Sequence, residues 1–100
     1  MRFVSAKFTQ EEWEKLVDKV LLLKGDMKIK EILHEVLMCL SDGELTNLQV
    51  EDVDSAKVFV IKSAPIREEL AMKLKKVAMK KGVKMQRLLA EAALYYFGVK

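Results

Sequence analysis

The apolar positions of this chain switch between a period of two and a period near 3.6, and the switches mark out its elements. Val4, Ala6 and Phe8 alternate with Ser5 and Lys7, which predicts a strand over Arg2–Phe8 with the apolar set turned inward. Beyond it the period lengthens. Trp13, Val17, Val20 and Leu21 fall on one side of a helix. Thr9 with Glu12 three residues on is a capping pair for its start, and Gly25 suits its end. A second helical stripe follows at Ile29, Ile32, Leu33, Val36, Leu37 and Leu40.

The pattern then recurs. Shifting the second stripe by 56 residues lands on Met85, Leu88, Leu89, Ala92, Ala93 and Tyr96, all apolar; Lys28 meets Lys84, and Glu35 meets Glu91. Shifting the first stripe by 57 gives Leu70, Leu74, Val77 and Ala78, and Gly25 meets Gly82. The offset changes because Asp26 is an extra residue after the first glycine. Lys57–Lys62 is rich in β-branched residues and predicts a second strand. It does not alternate, so two facings stay open: Lys62 outward with Val58 and Val60, or Lys57 outward with Phe59, Ile61 and Ser63. The helix after it has Ser63 as a cap with Pro65 in its first turn, or else starts near Ile66 or Arg67. The organisation is therefore a unit over 1–40, an acidic linker over 41–55 and a second unit over 56–100. Leu45, Leu48, Val50 and Val53 indicate that the linker packs rather than floats.

Charge changes the picture. The net charge of +3 is the sum of unlike parts: residues 1–40 balance to zero, 41–55 hold five acids and no base, and 56–100 hold eleven bases and three acids. A basic block of that size attracts polyanions, of which nucleic acid is the commonest. The charged third of the chain is mostly Lys and Glu, with three Gln and one Asn, a composition that points to a hot environment. No apolar run approaches the roughly 20 residues of a membrane span, the opening residues lack a signal-peptide stretch, and the one cysteine, Cys39, allows no internal disulfide. The expectation is an intracellular, cytoplasmic protein with no membrane partner.

Catalytic chemistry finds little footing. There is no Gly-rich phosphate loop, no metal-spaced Cys/His/Asp set and no Ser/His/Asp constellation, so neither an enzyme nor a cofactor nor a metal is expected. His34 reads as a boundary histidine and Cys39 as a small helix residue. Trp13 reads as a core anchor on its helix stripe, and Met27, Met72, Met79 and Met85 as packing filler. Lys73, Lys75, Lys76, Lys80 and Lys81 read as a solvated helix face. Glu11, Glu12 and Glu14 belong to a helix start.

Strand, helix, glycine turn and helix, given over Phe3–Leu40 and again over Lys57–Phe97, resembles the ribbon-helix-helix family of the Arc and MetJ type. Two units in one chain resemble tandem regulators of viruses of hot-environment archaea, which would place the protein in a host cytoplasm. The resemblance implies a mainly α fold with a short antiparallel β-ribbon, two units interlocked as an intramolecular pseudo-dimer or paired between chains. A 15-residue connection spans at most about 50 Å, ample for the first arrangement.

Function follows from the resemblance too. The ribbon would enter the major groove of operator DNA and read base edges, as a transcriptional regulator such as a repressor. The base-reading set is Arg2, Ser5 and Lys7 from the first strand, and Lys57, Lys62 and Ser63 from the two facings of the second. The start of each second helix would bind a phosphate: Met27 and Lys28 in one unit, Val83 and Lys84 in the other. Tyr95, Tyr96 and Phe97 form a candidate patch for self-association on DNA. Units of this family also occur in antitoxins, so the rival reading is a protein-interaction module that grips a partner protein through the linker or the C-terminus.

Overall fold

β1 (Arg2–Thr9) and β2 (Phe59–Ile66) lie side by side and antiparallel in the computed structural model of the chain, which describes residues 2–51, 53 and 58–100. Between them come α1 (Gln10–Lys24), α2 (Ile29–Cys39) and α3 (Asp42–Asn47); after them come α4 (Glu68–Lys81) and α5 (Met85–Tyr96). β1 takes the facing its alternation predicts, with Val4, Ala6 and Phe8 buried. Thr9 and Glu12 complete the capping box at α1: the Glu12 N–H donates to Thr9 Oγ1 at 3.1 Å, and the Thr9 N–H to Glu12 Oε1 at 2.9 Å. Gly25 and Gly82 end α1 and α4 at φ of 81° and 69°, where a side chain would be strained.

The helices cross over. α2 packs on β2, α5 packs on β1, and α2 and α5 touch each other. Each strand is thus covered by the second helix of the other segment. Leu33, Leu37, Leu88, Leu89 and Leu94 fill the contact and are fully buried, in one cluster with Leu16 and Leu74. A two-stranded ribbon alone is marginal in water, so this cover is what makes it persist.

Several expectations need correction. The second strand is not Lys57–Lys62 but runs on through Ser63, Ala64 and Pro65 to Ile66. Both strands are edges, and an edge tolerates proline because alternate N–H groups point away from the partner. Lys57 lies outside the described residues. Ser63 is consequently in the strand rather than at a cap, and α4 is capped at Arg67, the last of the starts weighed.

The offset between the segments is also longer at first than the apolar stripes imply. The register pairs Ser5 with Ser63, an offset of 58. At that offset the buried faces of the two helices coincide: Glu12, Leu16 and Val20 against Leu70, Leu74 and Ala78. α1 has 15 residues and α4 has 14, so the offset falls to 57 only at the glycines. The stripe of α1 is thereby rotated. Leu16 is fully buried, Leu21 is 53% exposed, and Trp13 is half-buried at the margin, its ring 5.4 Å from that of Phe8.

The linker does pack, and part of it is helical. Ser41 caps α3 by accepting from the Glu44 N–H at 3.1 Å, and Leu45 is fully buried. Two lysines read as solvated are in fact pinned: Lys81 Nζ donates to the carbonyls of Thr46 and Leu48, and Lys73 Nζ to those of Leu37 and Leu40. Lys75, Lys76 and Lys80 are exposed as expected.

The rotated stripe is testable. Leu16→Ala should lower the unfolding free energy by about 2–5 kcal/mol. Leu21→Ala should change it by far less, because half its surface is already in water. Urea titrations of the two variants check the order.

Candidate nucleic-acid interface

The alternation that buries one side of the ribbon turns the other side out. In register, its outer face pairs Phe3 with Pro65, Ser5 with Ser63, Lys7 with Ile61 and Thr9 with Phe59. No part of the described chain covers Phe3, Ile61 or Ser63, which are all exposed. At the centre the Ser5 and Ser63 hydroxyls hydrogen-bond each other at 2.7 Å. The Lys7 ammonium sits 4.0 Å from the centre of the Phe59 ring, a cation–π contact.

Of the residues expected to read bases, Ser5, Lys7 and Ser63 are brought together on this face. Lys62 is not: it shares the inner side of β2 with Ala64 and Ile66, and its ammonium lies 4.8 Å over the Trp13 ring. Of the two open facings, the one with Phe59, Ile61 and Ser63 outward is observed. Arg2 has the parity of Val4 and Ala6, so it also falls on the inner side, at the ribbon's end. There its Nε is 3.6 Å from Glu68 Oε1 in an exposed pair. Phe3 takes the outward place instead. The alternation beginning at Val4 carried that information, since the same parity extended back by one residue puts Phe3 outward.

The starts of the two second helices differ. Lys28 and Lys84 are the exposed N-caps of α2 and α5, while Met27 and Val83 are half-buried against the core. At α2 the Lys28 N–H already donates to Glu31 Oε1 at 3.1 Å, and that carboxylate lies in the first turn. The first turn of α5 carries no acid.

A buried ionic network holds the start of α5 against the ribbon. Arg87, its side chain 3% exposed, donates through Nη1 to the Lys7 carbonyl at 2.6 Å and to Glu12 Oε1 at 3.1 Å. Its Nη2 reaches Glu91 Oε2 at 3.0 Å and its Nε the Glu51 carbonyl at 2.9 Å. Lys100 Nζ adds bonds to Glu12 Oε2 at 2.8 Å and Glu91 Oε1 at 3.2 Å. Burial alone would push the Glu12 carboxyl up. The bonds from Arg87, Lys100 and the Thr9 N–H outweigh it and hold the pKa at about 2. For Lys100 burial works against the charge, and its bonds to Glu12 and Glu91 raise the pKa all the same. Glu12 thus does more than serve a helix start. The spacing of Arg87 and Glu91, four apart on one helix, was the available sign of this network.

The aromatic C-terminus does not form a patch. Phe97 is buried at 2% exposure and Tyr96 packs edge-on against it at 5.0 Å; only Tyr95 is exposed. A hydrogen bond with Cys39, burial and the Glu35 carboxylate all push the Tyr96 hydroxyl above the phenol range. His34 is half-buried and Cys39 exposed.

Among the described residues, no helix is long and apolar enough to cross a membrane. None of their His, Cys, Asp and Glu gather in threes where a metal ion could bind. Comparison with protein-family models, curated proteins and solved structures finds no match to this chain.

Two outcomes follow from the network. Arg87→Met leaves Glu12 and Glu91 buried without their main partner and should cost about 3–5 kcal/mol, read from the urea midpoint at pH 7. Because Glu12 titrates near 2 in the fold and near 4.5 outside it, its contribution is complete above pH 4.5 and is lost as pH falls toward 2. Midpoints measured across that window should drop in the parent chain, and Glu12→Gln should remove this part of the slope.

Proposed function

We propose that the chain is a sequence-specific DNA-binding protein of the ribbon-helix-helix type that acts as a transcriptional regulator, with its two units paired within one chain. The observation that carries this reading is the outer face of the ribbon, two strands wide and uncovered, with Ser5, Lys7 and Ser63 on it. A two-stranded ribbon fits the width of a major groove, and side chains from its outer face can meet base edges there. The crossed helices support the intramolecular pairing, since each second helix covers the other segment's strand. The basic balance of residues 56–100 would draw a polyanion toward the molecule. Lys28 and Lys84 would contact phosphates, which set position and affinity rather than sequence.

The antitoxin-like reading is less well supported. Among the described residues, the linker is engaged by Lys81 and by Arg87, and Phe97 is in the core, so both segments already have partners within the chain.

A mobility-shift assay on the DNA upstream of the protein's own coding sequence tests the proposal. Lys7→Ala combined with Ser63→Ala should lose about 1–3 kcal/mol of discrimination for each base contact removed. Lys28→Ala and Lys84→Ala should instead weaken binding evenly across sequences and flatten its salt dependence by about one unit of slope each. Undiminished selectivity in the ribbon double variant would sink the assignment.

A further inference from the structure

The outer face of the ribbon holds more apolar surface than hydrogen-bonding groups. Phe3 is 77% exposed and Ile61 is 54% exposed. At the offset of 58 that aligns Ser5 with Ser63, these two residues occupy equivalent places. Each stands two residues before the serine of its own strand, and the hydroxyl pair lies between them. Other apolar side chains are exposed elsewhere, Leu21, Leu22 and Leu23 in a row at the end of α1 and Met79 on α4 among them, but none of these lies on the outer face of the ribbon. Phe3 and Ile61 are matched on one face, and Ile61 stands opposite Lys7.

Neither side chain can hydrogen-bond a base edge. In the major groove the one apolar feature that a base pair offers is the C5-methyl group of thymine, or of a methylated cytosine. We infer that the ribbon recognises 5-methyl pyrimidines, with Phe3 and Ile61 each covering one methyl group on either side of the Ser5–Ser63 pair. The inference rests on the DNA-binding reading above and specifies what that face recognises. A duplex is favoured over an apolar protein surface because the face is interrupted. The two hydroxyls separate the residues, the Lys7 ammonium caps the Phe59 ring, and the basic balance of residues 56–100 suits a polyanion. Phe3 and Ile61 lie four residues apart along the ribbon, about 13 Å, so the two methyl groups should be separated by on the order of four base pairs.

Uracil tests this directly, because it keeps the hydrogen-bonding edge of thymine and lacks only the methyl group. Preferred duplexes are first selected from a random-sequence pool with the full chain. The best site is then remade with every thymine replaced by uracil, and both forms are titrated by fluorescence anisotropy. The uracil form should bind roughly fourfold more weakly for each methyl group no longer taken out of water, about fifteenfold for two. Single uracils should place the effect at two positions. Phe3→Ala and Ile61→Ala should each abolish the thymine–uracil difference at one of them, with circular dichroism unchanged since both sites are exposed. Equal affinity for the two forms overturns the methyl readout and leaves selective DNA binding standing. Failure to select any sequence overturns both.

Discussion

Strand pairing across 58 residues is the constraint on which the rest of this molecule depends. Two strands in isolation cannot hide their inner face, and each hairpin of helices is too small to close a core of its own. The chain meets both needs by crossing its helices, so that α2 lies under β2 and α5 under β1. Pairing therefore sets the phase of everything downstream. Each buried side chain of α1 is aligned by the strand register with a buried one of α4, even where an apolar stripe in the sequence runs elsewhere; α4 buries Ala71 and Val77 besides.

The Arg87 network has a particular place in that arrangement. It joins a strand carbonyl, the start of α1, the first turns of α5, the linker at Glu51 and Lys100. Buried charges of this kind add little net stability over a good apolar packing, but they tolerate few alternative geometries. Their effect is local order next to Lys7. Among the described residues the opposite half has no such cluster: Glu31 stands where Arg87 would be, and Glu35 is met by Lys24 at 3.7 Å. The covering of the halves differs as well. α3 and the linker lie on α4, whereas α1 ends in Leu21, Leu22 and Leu23, all of them more than half exposed.

Most of the fold was legible because it rests on periodicity. Both helix pairs, both glycine stops, the capping box and the facing of β1 follow from residue type and spacing. Three features escaped, each for a physical reason. The end of β2 was hidden by Pro65, a residue that elsewhere opens helices. The phase of α1 was blurred by three consecutive leucines, which satisfy several stripes at once, so Leu16 was overlooked and Leu21 overvalued. Arg87 was passed over and Glu91 was noted only as the counterpart of Glu35, because charge in a helix is usually solvated and only their partners on distant segments make burial affordable. At the candidate interface, Ser5 and Lys7 were readable from alternation, and the choice of Ser63 over Lys62 waited on the observed register.

Antiparallel pairing inside one polypeptide removes an obligation that two identical chains would share. An exact dyad forces each side chain on a ribbon to appear twice. Here the two edges carry different residues at equivalent places, Lys7 against Pro65 and Phe3 against Ile61. Dilution cannot part the strands, and a substitution on one edge leaves the other as it was. Under the DNA-binding reading proposed above, a lineage of such chains is free to alter half of the ribbon's outer face at a time, toward duplex sites with no two-fold symmetry of their own.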